Sequence, residues 1–295
     1  MSEANINPGK INSGKVSPDT GFNTNSVYQC AHECLLCDEP ALKVAKTMAL
    51  FETWTEGKLN CDISVEEAEN KVERLVNPGR PGKPVLVSPR DLPKRSAFSD
   101  EGKAALIHSL AHIEFNAINL ALDAVYRFRG LPAEYYTDWL QVAKEEAYHF
   151  SLLAERLNDL NYSYGDFDAH NGLWEMAIET DHDVLVRMAL VPRVMEARGL
   201  DVTPAIMEKL EKAGDQRMVE ILTVIQRDEV GHVEIGTRWY RHFCEIRGLS
   251  PFEMFKSLLE KYLKGGVRGP YDIEMRKKAG FTDDELLYLE QVGTK

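Results

Sequence analysis

Apolar residues recur at helical spacing over most of the chain beyond residue 26, and this pattern predicts an all-α fold. Gly130-Leu131-Pro132 breaks the pattern and predicts a tight turn between two long helices. The polar and aromatic stretch 161–171 is long enough to cross from one helical hairpin to the next. We therefore expect a four-helix bundle built from two hairpins, with helices at about 99–130, 132–160, 173–198 and 215–247.

The third predicted helix contains an internal proline, Pro192, which has no N–H to bond to the carbonyl of Met188. The pattern therefore predicts a kink one turn before Glu196. Such a kink can aim the Glu196 side chain, or it can simply wrap the helix around the core. Gly199 predicts the end of this helix, and a short separate helix is expected over 203–213.

The chain outside the bundle is expected to form accessory pieces. Its first residues are polar and lack an apolar period, which predicts a flexible tail. An apolar stripe then predicts one accessory helix, and a proline-rich stretch predicts an extended strap that packs against the bundle. The predicted parts are a tail at 1–25, the accessory helix and strap at 26–95, the bundle at 96–265, and a C-terminal helical tail at 266–295.

The second and fourth predicted helices each carry a Glu-x-x-His motif, Glu146 with His149 and Glu229 with His232. Residues three apart lie on one face of a helix, one turn apart, so each pair can hold one metal ion between its side chains. A single motif of this kind arises often by chance on glutamate-rich surface helices. Two copies on paired helices are more informative than one.

A lone glutamate precedes each motif at nearly the same distance. Glu114 lies 32 residues before Glu146, and Glu196 lies 33 residues before Glu229. One glutamate from each of two helices and a Glu-x-x-His from each of the other two form the ligand set of a carboxylate-bridged dimetal site in a four-helix bundle. The pattern therefore predicts six metal ligands: Glu114, Glu146, His149, Glu196, Glu229 and His232.

An acidic residue comes directly before each motif, Asp228 before Glu229 and Glu145 before Glu146. Histidines that bind metals usually donate their other ring N–H to a carboxylate. We therefore expect Asp228 to reach across the bundle to His149, and Glu145 to reach His232.

Two further features near the motifs allow more than one interpretation. His108 and His112 face away from Glu114 on the first helix, and we expect them to make surface or interhelix contacts. Gly231 lies inside the second motif, where it could leave room for oxygen or a substrate; close packing between helices is the favoured explanation.

Cys30, Cys34 and Cys37 follow a C-x-x-x-C-x-x-C spacing that radical S-adenosylmethionine enzymes use to hold an iron–sulfur cluster. The same spacing also forms one stripe of a helix, and free cysteine is among the most frequently buried residue types. Nothing downstream shows the alternating strands and helices of a barrel, so packing is the favoured interpretation.

Composition narrows the class of protein. A net charge of −12 and a pI near 5.2 disfavour a nucleic acid or an anionic membrane as partner. The sequence shows neither a membrane span nor a secretion signal, and five cysteines do not resemble a disulfide framework. We therefore expect a soluble cytoplasmic protein.

The sequence resembles the ferritin-like superfamily, and within it the bacterial family known as the domain of unknown function 455 (DUF455) family. The resemblance covers roughly 27–263 and is carried by residues 79–93, 111–118, 145–149, 190–201 and 228–232. It implies a four-helix bundle with a dimetal centre at the six residues named. The cysteine stripe is not part of the resemblance.

The favoured hypothesis is an enzyme, a non-haem diiron oxidoreductase that uses O₂ to hydroxylate or otherwise oxidise an unidentified small molecule. Its cofactor would be two iron ions, or alternatively manganese or a mixed iron and manganese pair, and it would need an electron donor. The alternatives are a dimanganese catalase acting on peroxide, a ferroxidase, and a non-enzymatic storage or structural metal bundle. A homodimer is compatible with the sequence.

Overall fold

The computed structural model describes residues 20–63, 72–93, 95–96, 98–263 and 267–293. Within these ranges the prediction of an all-helical fold is confirmed, because the regular elements are helices and extended pairing is limited to two isolated bridges. Most of the predicted tail, residues 1–19, lies outside the described residues. The helices are α1 (Val27–Leu36), α2 (Pro40–Thr55), α3 (Asp100–Arg127), α4 (Ala133–Asp159), α5 (Gly172–Glu179), α6 (Val184–Leu190), a π-helical segment (Val191–Glu196), α7 (Ala197–Lys212), α8 (Gln216–Ile246), α9 (Pro251–Tyr262), α10 (Ile273–Lys278) and α11 (Asp283–Gly293).

The bundle is made of α3, α4, α8 and the chain of α6, the π segment and α7. Helix α3 packs along α4, and α8 packs against α4 and the whole of the interrupted third helix. Local signals start the long helices: the Ser99 hydroxyl accepts from Gly102 N at 3.1 Å to cap α3, and Asp215 accepts from Met218 N at 3.0 Å to cap α8. A single connected apolar core fills the space between the helices.

The prediction of one accessory helix before the strap is wrong, because α1 and α2 are separate helices. Glu39 accepts from Ala41 N and Leu42 N, and Pro40 occupies the first turn, so a new helix begins at that point. Helix α1 packs on α3, and α2 packs on α4. The two accessory helices therefore cover the first hairpin of the bundle.

The third predicted helix also differs from the expectation. A turn at 180–183 divides it, and Asp183 caps α6 by accepting from Leu185 N at 2.8 Å. Gly199 does not end the helix, because α7 runs through it to Lys212 with Leu200 and Leu210 still buried. The predicted distortion at Pro192 takes the form of the π segment, in which Ala197 N–H donates to the Pro192 carbonyl five residues back.

The described part of the proline-rich strap, at 72–93, joins two distant pieces of the molecule. Gly79 N donates to the Leu35 carbonyl at 2.8 Å, and a side chain at residue 79 would lie 2.3 Å from the backbone of Leu36. Further along, Val87 N donates to the Ala169 carbonyl at 2.8 Å. The strap therefore ties the end of α1 to the crossing loop at 161–171.

The cysteine stripe of α1 is buried in the manner of a core face. Cys30 and Cys34 are fully buried, and Cys37 is partly exposed at the helix end. Burial raises the pKa of the Cys30 thiol to about 12 and raises that of Cys34 as well, which disfavours the thiolates that a cluster needs. The packing interpretation is favoured, and across the described ranges no group of cysteines converges as metal ligands.

None of the helices in the described ranges combines the length and the apolar character that a transmembrane span requires.

Candidate metal centre

All six predicted ligands lie at the centre of the bundle, on its four helical members. Glu114 comes from the middle of α3, Glu146 and His149 from α4, Glu229 and His232 from α8, and Glu196 from the last position of the π segment. Glu114, Glu146 and both histidines are buried, whereas Glu196 and Glu229 are half-buried. Residues separated by more than 100 positions in the sequence thus converge on one small volume.

Glu146 lies between the two histidines. Its Oε1 is 3.0 Å from His232 Nδ1, and its Oε2 is 3.4 Å from His149 Nδ1. Glu114 Oε2 approaches His149 Nδ1 to 3.3 Å, and Glu229 Oε2 approaches His232 Nδ1 to 3.8 Å. One ligand atom each from Glu114, Glu146, His149 and Glu229 lie within 4.8 Å of one another, a grouping that could hold a metal ion.

Two acidic side chains fix the orientation of the imidazole rings. His149 Nε2 donates to Asp228 Oδ2 at 3.1 Å, and His232 Nε2 donates to Glu145 Oε2 at 2.8 Å. These are the crossed contacts that the spacing predicted. An ionised carboxylate can only accept a hydrogen bond, so the proton of each neutral ring is on Nε2. Each Nδ1 is then the nitrogen that faces the carboxylates of the centre, with a lone pair in the neutral ring and with an N–H in the protonated ring.

Seven buried atoms of the six residues lack a hydrogen-bond partner. A buried polar atom without a partner costs about 1–3 kcal/mol, and a charged one costs more. A lone pair that faces a carboxylate is moreover repelled unless a cation or a proton lies between them. The donor set therefore fits metal ions, and the unsatisfied atoms are Glu114 Oε2, Glu146 Oε1, Glu146 Oε2, His149 Nδ1, Glu196 Oε2, Glu229 Oε2 and His232 Nδ1.

The pKa values of the carboxyl groups show the same need for positive charge. Burial raises the pKa of Glu114 well above its usual value, and the charge of Glu146 adds to this effect. Burial, with the charges of Glu229 and Glu146, raises the pKa of Glu196 to about 8. Burial opposes ionisation of Glu146 too, but the adjacent His232 and His149 hold the pKa of Glu146 well below its usual range.

The carboxylates around the two histidines raise the pKa of both rings. Burial alone would lower the pKa of His149, but Asp228, Glu114 and Glu146 raise it well above its usual value. No lysine or arginine in the described part of the chain forms an ion pair with any of the six candidate ligands. Divalent ions would supply the missing charge.

The acidic residues behind the histidines connect the centre to the surface. Asp228 is held by the exposed Arg227, whose Nε lies 2.8 Å from Oδ1. Burial would raise the pKa of Asp228, but hydrogen bonds from His149 and Arg227 lower it to about 2. Glu145 is held in the same way by the side-chain amide of Gln141. Both acids are therefore ionised and oriented toward the rings.

The favoured explanation of Gly231, close packing between helices, is wrong, because a Cβ at this position would meet no atom within 4 Å. The closely packed glycine of α8 is Gly236, where a Cβ would lie 2.3 Å from Cγ of Pro192. Sequence reasoning missed this contact. The available signal was the position of Gly236, one helical turn beyond His232, together with an unexplained proline in the third helix.

His108 and His112 are buried, so the surface part of their predicted role is wrong. His108 Nε2 accepts from Gly165 N at 2.9 Å, and His112 contacts the Tyr164 hydroxyl at 2.9 Å and the His170 carbonyl at 3.1 Å. Burial lowers the pKa of each ring to about 4, which keeps both neutral. They hold the crossing loop against α3.

Comparisons with known proteins confirm the resemblance to the DUF455 family. Residues 36–287, which include the six candidate ligands, match the model of a family described as "Protein of unknown function (DUF455)". A protein of Haemophilus influenzae described as an uncharacterized protein is 51% identical over 219 residues, covering 72% of this chain and 76% of that protein. No solved structure matches the chain.

Proposed function

We propose that this chain, which belongs to the DUF455 family of proteins of unknown function, binds two metal ions in a ferritin-like four-helix bundle and uses them to oxidise an organic substrate with O₂. The observation that carries the proposal is the set of seven buried, unsatisfied ligand atoms contributed by six side chains. Such a set is costly in a protein core unless cations satisfy it.

Two groups of three side chains would hold the ions. Glu114, Glu146 and His149 would bind the first ion, and Glu196, Glu229 and His232 would bind the second. Because the two oxygens of Glu146 face different histidines, Glu146 would contribute to holding both ions. Four carboxylates balance the four positive charges of two divalent ions.

Iron is the favoured metal, and manganese or a mixed pair is compatible with the same donors, because carboxylate and imidazole ligands suit both. A pair of ferrous ions supplies two electrons for the reduction of O₂. An electron donor and an organic substrate complete the proposed reaction.

The chain's own residues serve three purposes in this scheme. Asp228 and Glu145 keep the proton on Nε2 of each ring, so that Nδ1 stays free to bind metal. Buried apolar neighbours of the ligands along α3 and α4, including Phe115, Ala147 and Phe150, limit the access of water to the centre. Glu196 and Glu229 are less deeply buried than the other four candidate ligands, and we propose that a small molecule approaches the centre from their side.

A dimanganese catalase or a ferroxidase is the second candidate, because the same carboxylate and imidazole donors suit manganese as well as iron.

Metal analysis of protein purified without added metal, followed by anaerobic loading with ferrous iron and exposure to O₂, tests the proposal. We expect two iron ions per chain and an O₂-dependent change in the absorption spectrum. Manganese together with rapid peroxide breakdown would shift the assignment to a catalase. A chain that binds no metal would contradict the proposal, and a cage-sized particle on a sizing column would instead favour storage.

A further inference from the structure

The C-terminal clasp, which we define as residues 267–293, contacts the chain on both sides of Glu196. Its helices α10 and α11 pack near α7, α8 and α9. Its polar contacts are concentrated on Arg193 before Glu196, and on Ala197, Arg198 and Asp201 after it.

The contact before Glu196 is a buried guanidinium. Arg193 is fully buried within the π segment, and its Nη2 donates to Glu285 Oε1 of α11 at 2.6 Å. Its Nε donates to Thr237 Oγ1 at 3.3 Å. Three aromatic rings enclose the charge with centroids 4.2–4.6 Å from its central carbon, those of Tyr240, Phe255 and Phe281.

The contacts after Glu196 are formed by a second buried guanidinium and by backbone carbonyls. Arg276 donates to both oxygens of Asp201, at 2.9 and 2.8 Å, and both side chains are fully buried. Arg276 also reaches the Ala197 carbonyl at 3.5 Å. In the other direction, Arg198 donates to the Pro270 carbonyl of the clasp at 2.9 Å.

These contacts hold a backbone that is not a regular helix. In the π segment one residue more than usual separates each donor from its acceptor, and Pro192 supplies no N–H, so local hydrogen bonds alone specify the backbone poorly. Glu196 is the last residue of the segment. Glu114, in contrast, lies within the uninterrupted 28-residue helix α3.

We infer that the C-terminal clasp positions Glu196 and thereby sets the affinity of the centre for one of its two ions. The inference rests on the proposed two-ion function. Arg193 and Glu285 act through the backbone of the π segment and not as ligands. The ion held by Glu114, Glu146 and His149 does not depend on the clasp, so the two ions respond differently when it is weakened.

Equilibrium dialysis of the full-length protein against Mn²⁺, with bound metal counted by mass spectrometry, tests the inference. Glu285→Gln keeps the size of the side chain and removes its charge. We expect it to lower the affinity for one ion by about 10-fold to 100-fold and to leave the affinity for the other ion unchanged. Arg198→Ala removes a more exposed clasp contact and should lower the affinity for the same ion by a smaller factor. Thermal unfolding of each metal-free variant reports whether it is folded.

The matched control is Arg127→Gln, which weakens another buried guanidinium–carboxylate pair, Arg127 with Asp123 on α3, outside the clasp. It should lower thermal stability and leave both Mn²⁺ affinities intact. The role of the clasp would be overturned if Glu285→Gln lowered the affinity for both ions equally, or if neither clasp variant lowered the affinity for any ion. A wild-type chain that binds fewer than two ions would overturn the proposed function itself.

Discussion

Two glutamates of the same predicted role are presented by very different pieces of chain. Glu114 lies within α3, a regular helix of 28 residues that packs along α1 and α4. Glu196 ends a π segment that contains Pro192, and the C-terminal clasp contacts the chain before Glu196 at Arg193 and after it at Asp201. A ligand on a regular helix is positioned by helix packing, whereas a ligand on an irregular one needs additional contacts.

The two regions also differ in the charge of the groups that support them. In the turns of α3 just before Glu114 the supporting side chains His108 and His112 are neutral, and both are hydrogen-bonded to the crossing loop. Near the π segment they are charged, since Arg193 and Arg276 pair with buried carboxylates. This difference predicts that low pH destabilises the region around α3, and that loss of an ion pair destabilises the region around the π segment.

The largest loss of metal binding is expected from a change at Glu146, which lies between the two histidines. Glu146→Ala removes the carboxylate that faces both histidines, so we expect both ions to be lost while the helical fold remains. Metal content and circular dichroism measure the two outcomes. Glu155→Ala removes an exposed glutamate of the same helix and should retain full metal content. Full loading of Glu146→Ala would show that the ligand assignment is wrong.

Two glycines of α8, one packed against the π segment and one in open space, test whether that segment depends on tight contacts. Gly236→Ala places a methyl group 2.3 Å from Cγ of Pro192, and overpacking of this kind costs about 1–3 kcal/mol. Gly231→Ala places the same group in open space and should stabilise α8 by up to about 1 kcal/mol. Each kcal/mol shifts the melting temperature by about 2–4 °C in a chain of this size class.

Thermal unfolding of the two metal-free variants should therefore give shifts of opposite sign. Gly236→Ala should also displace the π segment, so its second ion should bind more weakly than in Gly231→Ala. Equal shifts in melting temperature would argue against a tight contact between Pro192 and Gly236.

Low pH should destabilise the fold where the neutral ring of His108 holds the crossing loop against α3. The folded-state pKa of His108 is about 4, below the value of about 6.5 expected in the unfolded chain. The neutral ring therefore contributes stability that is complete above pH 6.5 and is lost as the pH falls toward 4. Allowing for partial solvent screening, the loss is on the order of 1–2 kcal/mol.

The measurement is the free energy of unfolding of metal-free protein between pH 7 and pH 4, for the wild type and for His108→Gln. The variant should show a shallower decline, because one buried group no longer gains a proton on unfolding. Parallel curves would exclude His108 as a contributor.

The smallest change in metal affinity is expected from Arg227, the exposed residue behind Asp228 and His149. Arg227 is exposed and pairs with Asp228, which accepts from His149. Exposed pairs of this kind contribute about 0–1 kcal/mol, so Arg227→Ala should weaken Mn²⁺ binding by no more than about fivefold. The effect should shrink further at high salt. Arg217→Ala, which removes another exposed ion pair of α8, is the control.

Much of the centre could be predicted because its signals are local. The spacing of Glu146 and His149 on one turn of a helix follows from helical geometry alone. The crossed contacts of Asp228 and Glu145 were inferred from the symmetry of the two motifs and from the carboxylate that usually accepts from a metal-binding histidine. The hairpin turn at Gly130 was visible for the same reason, since glycine adopts the positive φ of 72° that it requires.

The missed features depend on contacts between distant parts of the chain. Arg193 and Glu285 are 92 residues apart, and no periodic pattern links them. Gly199 carries a common stop signal, yet tertiary burial of Leu200 and Leu210 continues the helix through it. The split between α1 and α2 was predictable in principle, because Glu39-Pro40 is an N-terminal helix signal.

Anomalous X-ray diffraction from crystals loaded anaerobically with ferrous iron, recorded at the iron absorption edge, tests the central claim most directly. The account predicts two peaks inside the bundle, one among Glu114, Glu146 and His149, and the other among Glu196, Glu229 and His232. A bundle without a peak between these side chains, or with iron bound only elsewhere on the molecule, would contradict it.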